Sequence, residues 1–235
     1  MIGVLINVAT VLLGGTIGLL LGKGIPERIR ETVMQGLALC TMLIGLLSAL
    51  KTNDVLCVIV CMVIGALLGE WINIEKRLEG LGGRAERLLT RGKAASGSTF
   101  VQGFMTASLV FCVGAMAIVG SLESGLSGNH GTLTAKAMLD GVAAVFFAAA
   151  LGPGVLLSAV AVFVYQGIIA LGAGLVAPVL SDPIVLEMSA VGGLIIVGIG
   201  LNLLGIAKVR TGNLLPAVFL PLAYVPIAAW ITGLL

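Results

Sequence analysis

Asp140 and Lys136 are the residues of this sequence best suited to chemistry in an apolar environment. They lie four residues apart inside an apolar stretch, so a helix places them on one face. A charged side chain deep in a membrane span costs about 2.5–3.5 kcal/mol on insertion scales, and it normally faces a cavity or a partner. Two interpretations stay open: a structural Lys136–Asp140 ion pair near the outer interface, or an Asp140 carboxylate that binds a cation or a proton along a pathway.

Other polar residues lie within or beside apolar runs. Ser121 and Glu123 follow the run 101–120, and the glycine-rich stretch 120–131 is either a solvated loop or a re-entrant segment whose oxygens coordinate a cation. Asn7, Gln166 and Asn202 are typical of hydrogen bonds between helices, with ligand contact as the alternative for Asn7 and Asn202. The candidate substrate- or ion-binding residues are Asp140, Ser121, Glu123, Asn7, Asn202 and Lys136.

The composition indicates a membrane protein. Hydrophobic residues make up 59% of the 235-residue chain and charged residues 10%, whereas soluble domains carry roughly 25% charged residues. The net charge of +2 is small, and the basic residues are confined to short loops, so we expect no nucleic-acid partner. The first apolar run is long enough to span a membrane, so we expect no cleavable signal peptide.

The motifs of several enzyme classes are absent from the sequence. It contains one histidine, His130, and no GxSxG, HExxH or P-loop motif. Its four cysteines lie in apolar runs without a CxxC spacing; Cys57 and Cys61, four residues apart, are most simply interpreted as buried side chains. We therefore expect a protein that is not an enzyme and has no cofactor and no metal site.

A transmembrane helix needs about 20 apolar residues, and Gly152-Pro153-Gly154 divides the longest apolar stretch in two. The fold class we predict is all-α, a polytopic membrane protein with about eight transmembrane helices. The predicted spans are 2–22, 34–50, 55–73, 101–120, 135–151, 154–177, 186–206 and 213–233.

The basic residues predict an orientation, because cytoplasmic loops carry an excess of Lys and Arg. With the N-terminus and C-terminus outside, the loops after spans one, three and seven are cytoplasmic. The outer side then keeps Lys51 and Lys136. The basic residues on the inner side are Lys23, Arg28, Arg30, Lys76, Arg77, Arg84, Arg87, Arg91, Lys93, Lys208 and Arg210.

Two sets of three spans resemble each other, at 1–73 and 154–235. They are offset by five crossings, an odd number, so the similarity predicts an inverted repeat. Between them lie a basic amphipathic linker at 74–99, expected on the inner leaflet, and a central two-span hairpin at 100–153. Span one carries Gly14, Gly18 and Gly22 at intervals of four, which favours close helix packing within the protomer, with a dimer contact as the alternative.

Three segments resemble a known family. GAMAIVGSLESGL, LTAKAMLDGVAAVFFAAALGPGV and the N-terminal GVLINVATVLLGGTIGLLLGKGIP are similar to the bacterial membrane proteins grouped as domain of unknown function 554. The resemblance covers nearly the whole chain, and the central hairpin is its most specific part. It implies an integral protein of the bacterial cytoplasmic (inner) membrane, often described as a transporter without a proven substrate.

The function we predict is a secondary transporter or facilitator of a small solute or ion by alternating access. Its partners are the lipid bilayer and the transported species, with a proton or sodium as the coupling ion, and a homo-oligomer stays open. The alternatives are a passive channel and a non-transporting membrane scaffold or sensor that acts through the basic linker.

Overall fold

The computed structural model describes residues 1–22, 26–89 and 97–233, and these ranges form helices and turns without a strand. Three of the basic residues expected on the inner side, Lys23, Arg91 and Lys93, lie outside them. In chain order the helices are α1 (Ile2–Gly22), α2 (Glu27–Ala49), α3 (Val55–Ile72), α4 (Ile74–Leu89), α5 (Gly97–Cys112), α6 (Ala115–Leu126), α7 (Gly131–Leu151), α8 (Gly154–Leu171), α9 (Ala173–Val176), α10 (Asp182–Leu203), a 3-10 helix (Thr211–Phe219) and α11 (Pro221–Thr232).

Six helices in the described ranges are long and apolar enough to cross a membrane, and the number is eight if each of two bent pairs is one span. The bent pairs are α5 with α6, at 62°, and the 3-10 helix with α11, at 43°. The prediction of an all-α membrane fold is confirmed, with a span count between six and eight.

The bend between α5 and α6 corrects the predicted straight span at 101–120. The helix stops at Cys112 and resumes at Ala115, and Gly114 between them has φ +135°, a conformation that side-chain-bearing residues rarely adopt. The second half continues to Leu126, so Ser121 and Glu123 are helical residues rather than loop residues. The break therefore lies inside the bundle, and the connection to α7 is short.

Close packing of α1 on α7 is the central contact of the fold. A Cβ atom added to Gly14 would lie 2.1 Å from Gly141 O, and one added to Gly18 would lie 2.1 Å from Val145 O. From the first contact to the second, both helices advance by four residues in the same direction, so the two helices run parallel. The interpretation of the glycine series as packing within the protomer is confirmed.

Two other helix pairs pack through glycines. Gly45 of α2 and Gly193 of α10 approach each other reciprocally, because a Cβ on either would lie within 2.6 Å of the other's carbonyl oxygen. On α3, a Cβ on Gly65 would lie 2.4 Å from Ala217 of the 3-10 helix. Together with α11, these elements form a second group beside the one made by α1, α5, α6, α7 and α8.

Buried Glu187 joins helices at one end of the bundle, which we call the proximal end because α1 starts there. Its carboxylate accepts hydrogen bonds from Thr52 Oγ1 at 2.6 Å and from Asn53 N at 2.8 Å. Asp54 caps α3 by accepting hydrogen bonds from two backbone N–H groups of its first turn. Glu187 thus fixes the α2–α3 connection onto the start of α10.

At the opposite, distal end, a set of polar contacts joins α3 and α4 to the 3-10 helix. Glu70 pairs with Arg210 and accepts a hydrogen bond from Asn213 Nδ2 at 2.6 Å. Glu75 accepts one from Gly212 N at 3.1 Å. Partial burial raises the pKa of the Glu75 carboxyl, and the bond from Gly212 opposes that rise.

The α1–α7 contact predicts a large effect for a single methyl group. Gly18→Ala should lower the free energy of unfolding by about 1–3 kcal/mol, because the methyl group would overlap a backbone carbonyl that cannot rotate away. The measurement is thermal unfolding of the purified protein in detergent. Gly36→Ala in α2 is the control, since its Cβ meets nothing within 4 Å. Equal melting temperatures for the two variants would contradict the packing described here.

Candidate functional site

Four polar side chains from three helices meet inside the first group of helices. Asp140 Oδ2 accepts a hydrogen bond from Asn7 Nδ2 at 3.0 Å and pairs with Lys136 Nζ at 2.5 Å. Asn7 Nδ2 also donates to Gln166 Oε1 at 3.2 Å. We call Asn7, Lys136, Asp140 and Gln166 the polar cluster.

The elements around the cluster explain how it forms. Lys136 and Asp140 are one turn apart on α7, so their side chains reach each other along one helix face. The glycines of α1 let that helix approach α7 closely enough for the short side chain of Asn7 to reach Asp140. Gln166 completes the set from α8.

The cluster is closed to solvent. Asn7 and Gln166 are 0% exposed, and Lys136 and Asp140 are each 6% exposed. Asp140 is nine residues into α7, which places it about 13 Å along the helix from the proximal end. An ion pair at this depth is stable only because its partners replace water.

The hydrogen-bond directions leave two amide atoms of the cluster unpaired. Since an ionised carboxylate only accepts, Asn7 must present its NH₂ group to Asp140, and Gln166 must then present its oxygen to Asn7. The opposite atoms, Asn7 Oδ1 and Gln166 Nε2, are buried without a hydrogen-bond partner. Such atoms normally mark strain or a place for a bound water or ligand.

The bend between α5 and α6 lies next to the cluster. Cys112, the last residue of α5, is within electrostatic range of both Lys136 and Asp140. Tyr165 of α8 is in turn within electrostatic range of Cys112. The interrupted helix therefore ends within electrostatic range of the buried charges.

The structure brings together three of the six predicted site residues, Asp140, Lys136 and Asn7. Ser121 is buried, and its hydroxyl donates to Ala117 O one turn earlier at 2.6 Å. Glu123 lies near the proximal end, where its Oε2 accepts a hydrogen bond from Thr132 Oγ1 at 2.7 Å. Both residues sit on α6, between the break and the proximal end.

Asn202 belongs to a different part of the molecule. Its Nδ2 donates to Val209 O and its Oδ1 accepts from Val209 N, both at 2.7 Å. These two bonds fasten the last turn of α10 to the connection that leads to the 3-10 helix. The prediction that Asn202 supports the Asp140 site does not fit this placement.

Gln166 is the cluster member that the sequence did not assign to the site. Its residue type predicts a hydrogen bond between helices, and it does bond to Asn7 on another helix. The available signal was its depth, five residues before the end of α8 at Leu171, which matches the depth of Asn7 in α1.

The described ranges hold no group of three or more His, Cys, Asp and Glu side chains that could bind a metal. Cys57 and Cys61 are buried free thiols with their sulfur atoms 3.8 Å apart.

The helices, their apolar surfaces and the enclosed charges define a multi-pass membrane protein. The chain belongs to the family described as "Protein of unknown function (DUF554)", whose model matches residues 2–226. It is 33% identical to the uncharacterized protein YqgA of Escherichia coli K12, over 97% of both chains. It is 31% identical to the uncharacterized membrane protein YdfK of Bacillus subtilis 168, over 94% of both. No solved structure gives a significant match.

The enclosure of the ion pair predicts a strong dependence on both partners. Lys136→Met should lower the free energy of unfolding by about 3–5 kcal/mol, because it leaves the Asp140 carboxylate buried without its counter-charge. Adding Asp140→Leu should restore much of that loss, and a double-mutant cycle on thermal unfolding measures the coupling. Arg210→Gln is the control, because the Arg210–Glu70 pair is more than half exposed and should change stability by less than about 1 kcal/mol. Additive effects of the two α7 substitutions would contradict the pairing.

Proposed function

We propose that this protein is a secondary transporter or facilitator that moves a small solute or ion by alternating access. The observation that carries the proposal is the buried Lys136–Asp140 pair, which Asn7 and Gln166 complete from two other helices. Ionisable groups at membrane depth usually mark a pathway, since their burial otherwise costs stability.

The bent spans support a transport role. In transporters, discontinuous helices commonly surround the binding site, because their interrupted backbone is tolerated only where protein or a cavity covers it. Here Cys112, at the α5–α6 break, is within electrostatic range of Lys136 and Asp140. Ser121 and Glu123, on the proximal half of this bent span, are the residues we propose along the route from that end. Asn202 has no part in this site because its amide is already paired with Val209.

The division of the helices into two groups supports a rocking motion. One apolar core is formed by α1, α5, α7 and α8, with Met34 of α2 and Leu203 of α10 among the residues packed against it. Another lies between α3, α10, the 3-10 helix and α11. A third core joins the groups through residues such as Ile118 and Met188. Beside these two residues lies an apolar cleft of about 450 Å³ that also reaches Phe219. An apolar contact of this kind can slide at low cost, which would let the groups move as two bodies.

The inverted repeat remains part of the proposal. The helices that the sequence similarity equates pack against each other: α1 on α8, α2 on α10, and α3 on the 3-10 helix. A two-fold axis in the membrane plane would bring equivalent helices together in this way, which supports an inverted arrangement.

The closed cluster favours alternating access over a passive channel. A channel needs a continuous polar lining, whereas the four cluster residues are nearly inaccessible from either end. We therefore take the conformation described here as an occluded one. A scaffold or sensor would not need the enclosed charges, so it is the alternative that a failure to bind any ligand would favour.

For orientation we propose an outside N-terminus and C-terminus in the bacterial cytoplasmic membrane. The distal end then faces the cytoplasm, in agreement with the excess of basic residues there. The described part of the linker supports this, since exposed Lys76, Arg77 and Arg84 lie on α4, which is fastened to the distal end through Glu75.

The binding proposal predicts a ligand that stabilises the protein through the cluster. The full-length purified protein is unfolded thermally across pH, sodium, potassium and a panel of metabolites, for the wild type and for Asp140→Asn. A ligand at one hundred times its dissociation constant should add about 2.7 kcal/mol to the wild type. Asp140→Asn should alter the size of this stabilisation or its dependence on pH. Asp182 is an exposed acid at the start of α10, so Asp182→Asn should leave the stabilisation unchanged. If no condition stabilises the wild type, the transporter proposal is wrong and the scaffold is favoured.

The orientation has its own test. A fusion of alkaline phosphatase to the C-terminus should be active in bacterial cells, and a fusion of green fluorescent protein at the same place should be dark, because the C-terminus is predicted to lie outside. A matched pair of fusions after residue 208 should show the reverse. Fluorescence from the full-length fusion would overturn the orientation.

A further inference from the structure

The cluster is already occupied by a cation of its own, the Lys136 ammonium. Lys136 Nζ is 2.5 Å from Asp140 Oδ2, the position that a bound metal ion would take. Asn7 turns its NH₂ group toward the same oxygen, so a second neighbour of Asp140 is also a donor. Hard metal ions need several oxygen ligands, and this arrangement faces the carboxylate with hydrogen atoms instead.

Protonation of Asp140 releases donors of the cluster for another partner. A neutral carboxyl no longer holds the Lys136 ammonium, and Gln166 Nε2 is a buried donor that has no partner. An ammonium and an amide NH₂ group in a site closed to solvent are the groups that bind an anion by charge-assisted hydrogen bonds.

We propose that the polar cluster binds one small monovalent anion together with one proton, so that the protein is a proton-coupled anion carrier. This inference rests on the proposed transport function and names its substrate class. The proton binds to the Asp140 carboxylate and breaks its bond to Lys136. The anion then takes the place of that carboxylate as the partner of Lys136 Nζ, with Gln166 Nε2 as a second donor.

Charge neutrality couples the two ligands. The empty cluster holds one ammonium and one carboxylate and has no net charge. The fully loaded cluster holds an ammonium, a neutral carboxyl and an anion, and again has no net charge. A cluster with the proton alone, or with the anion alone, carries a net charge in an apolar interior, which is strongly unfavourable. Both neutral forms can therefore change conformation, and the half-loaded forms cannot.

Asp140 is the carboxyl group of the cluster, and the groups around it define its titration. Lys136 is on α7 like Asp140, and Cys112 is on α5. Tyr165 on α8 is within electrostatic range of Cys112. The sequence of α1 contains no titratable side chain. Toward the ends of the neighbouring helices lie Glu123 of α6, His130 before α7, and Arg28 and Glu31 of α2. Cys40 lies in the middle of α2 and is exposed.

The test measures binding by the full-length protein as a function of pH. The probes are the sodium salts of chloride, nitrate and formate, with gluconate as the bulky anion control. Thermal unfolding is recorded at about pH 5 and at about pH 8, so that the range includes protonation of a buried carboxyl. We expect at least one of the three small anions to raise the melting temperature at the lower pH and not at the higher.

Three variants make the expectation specific. Asp140→Asn mimics the neutral carboxyl, so its anion binding should become independent of pH. Gln166→Met removes the unpartnered donor and keeps the ion pair, so it should weaken anion binding by about tenfold, equivalent to about 1.4 kcal/mol. Lys136→Gln should abolish it, and Lys51→Gln, an exposed lysine near the proximal end, should not. If Lys136→Gln does not fold, Gln166→Met and Asp140→Asn decide the outcome.

Flux through vesicles completes the test. In liposomes that contain the protein and an internal pH dye, an inward gradient of the stabilising anion should drive proton uptake that a potassium–valinomycin clamp does not change. The contrary result is that sodium or potassium salts stabilise the protein equally whether the anion is small or is gluconate, with the effect lost in Asp140→Asn. That result would overturn the anion inference and leave the transporter proposal standing. No effect of any salt or metabolite at either pH would overturn both.

Discussion

The cost of placing charge in an apolar bundle is the constraint on which this structure depends. Lys136 and Asp140 can remain buried only if other polar groups replace the water they lose. Asn7 can act as such a group only because α1 lies against the backbone of α7, and that approach requires Gly14 and Gly18. The glycines of α1 and the charges of α7 are thus parts of a single arrangement.

The polar contacts outside the cluster have a different role. Glu187 fastens one connection to α10 at the proximal end, and Glu70 and Asn213 fasten α3 to the 3-10 helix at the distal end. These contacts hold the second group of helices together, whereas the cluster lies within the first. Among the described residues, these polar contacts and the cluster each lie inside one group, whereas the core that joins the groups is apolar.

The sequence predicted the features that depend on local composition. The bounds of α1 and the break at Gly152–Gly154 follow from hydropathy and from proline chemistry, and the Lys136–Asp140 pairing follows from helical spacing. The break at Gly114 was missed, because one glycine without proline inside an apolar run does not by itself indicate a bend. The roles of Gln166 and Asn202 could not be told apart from the residue type, because the partner decides what each amide does: Asn7 on another helix for Gln166, and nearby Val209 for Asn202.

The parallel pairing of α1 with α7 also constrains how the protein is made. The first helix leaves the ribosome more than one hundred residues before its partner is complete. At roughly 5–20 residues per second, this delay is on the order of ten seconds. During that time Asn7 faces lipid or a chaperone without Asp140, and the glycine surface of α1 is uncovered. Assembly of the cluster is therefore a late, post-insertion event, and the insertion machinery or the membrane must hold α1 until α7 arrives.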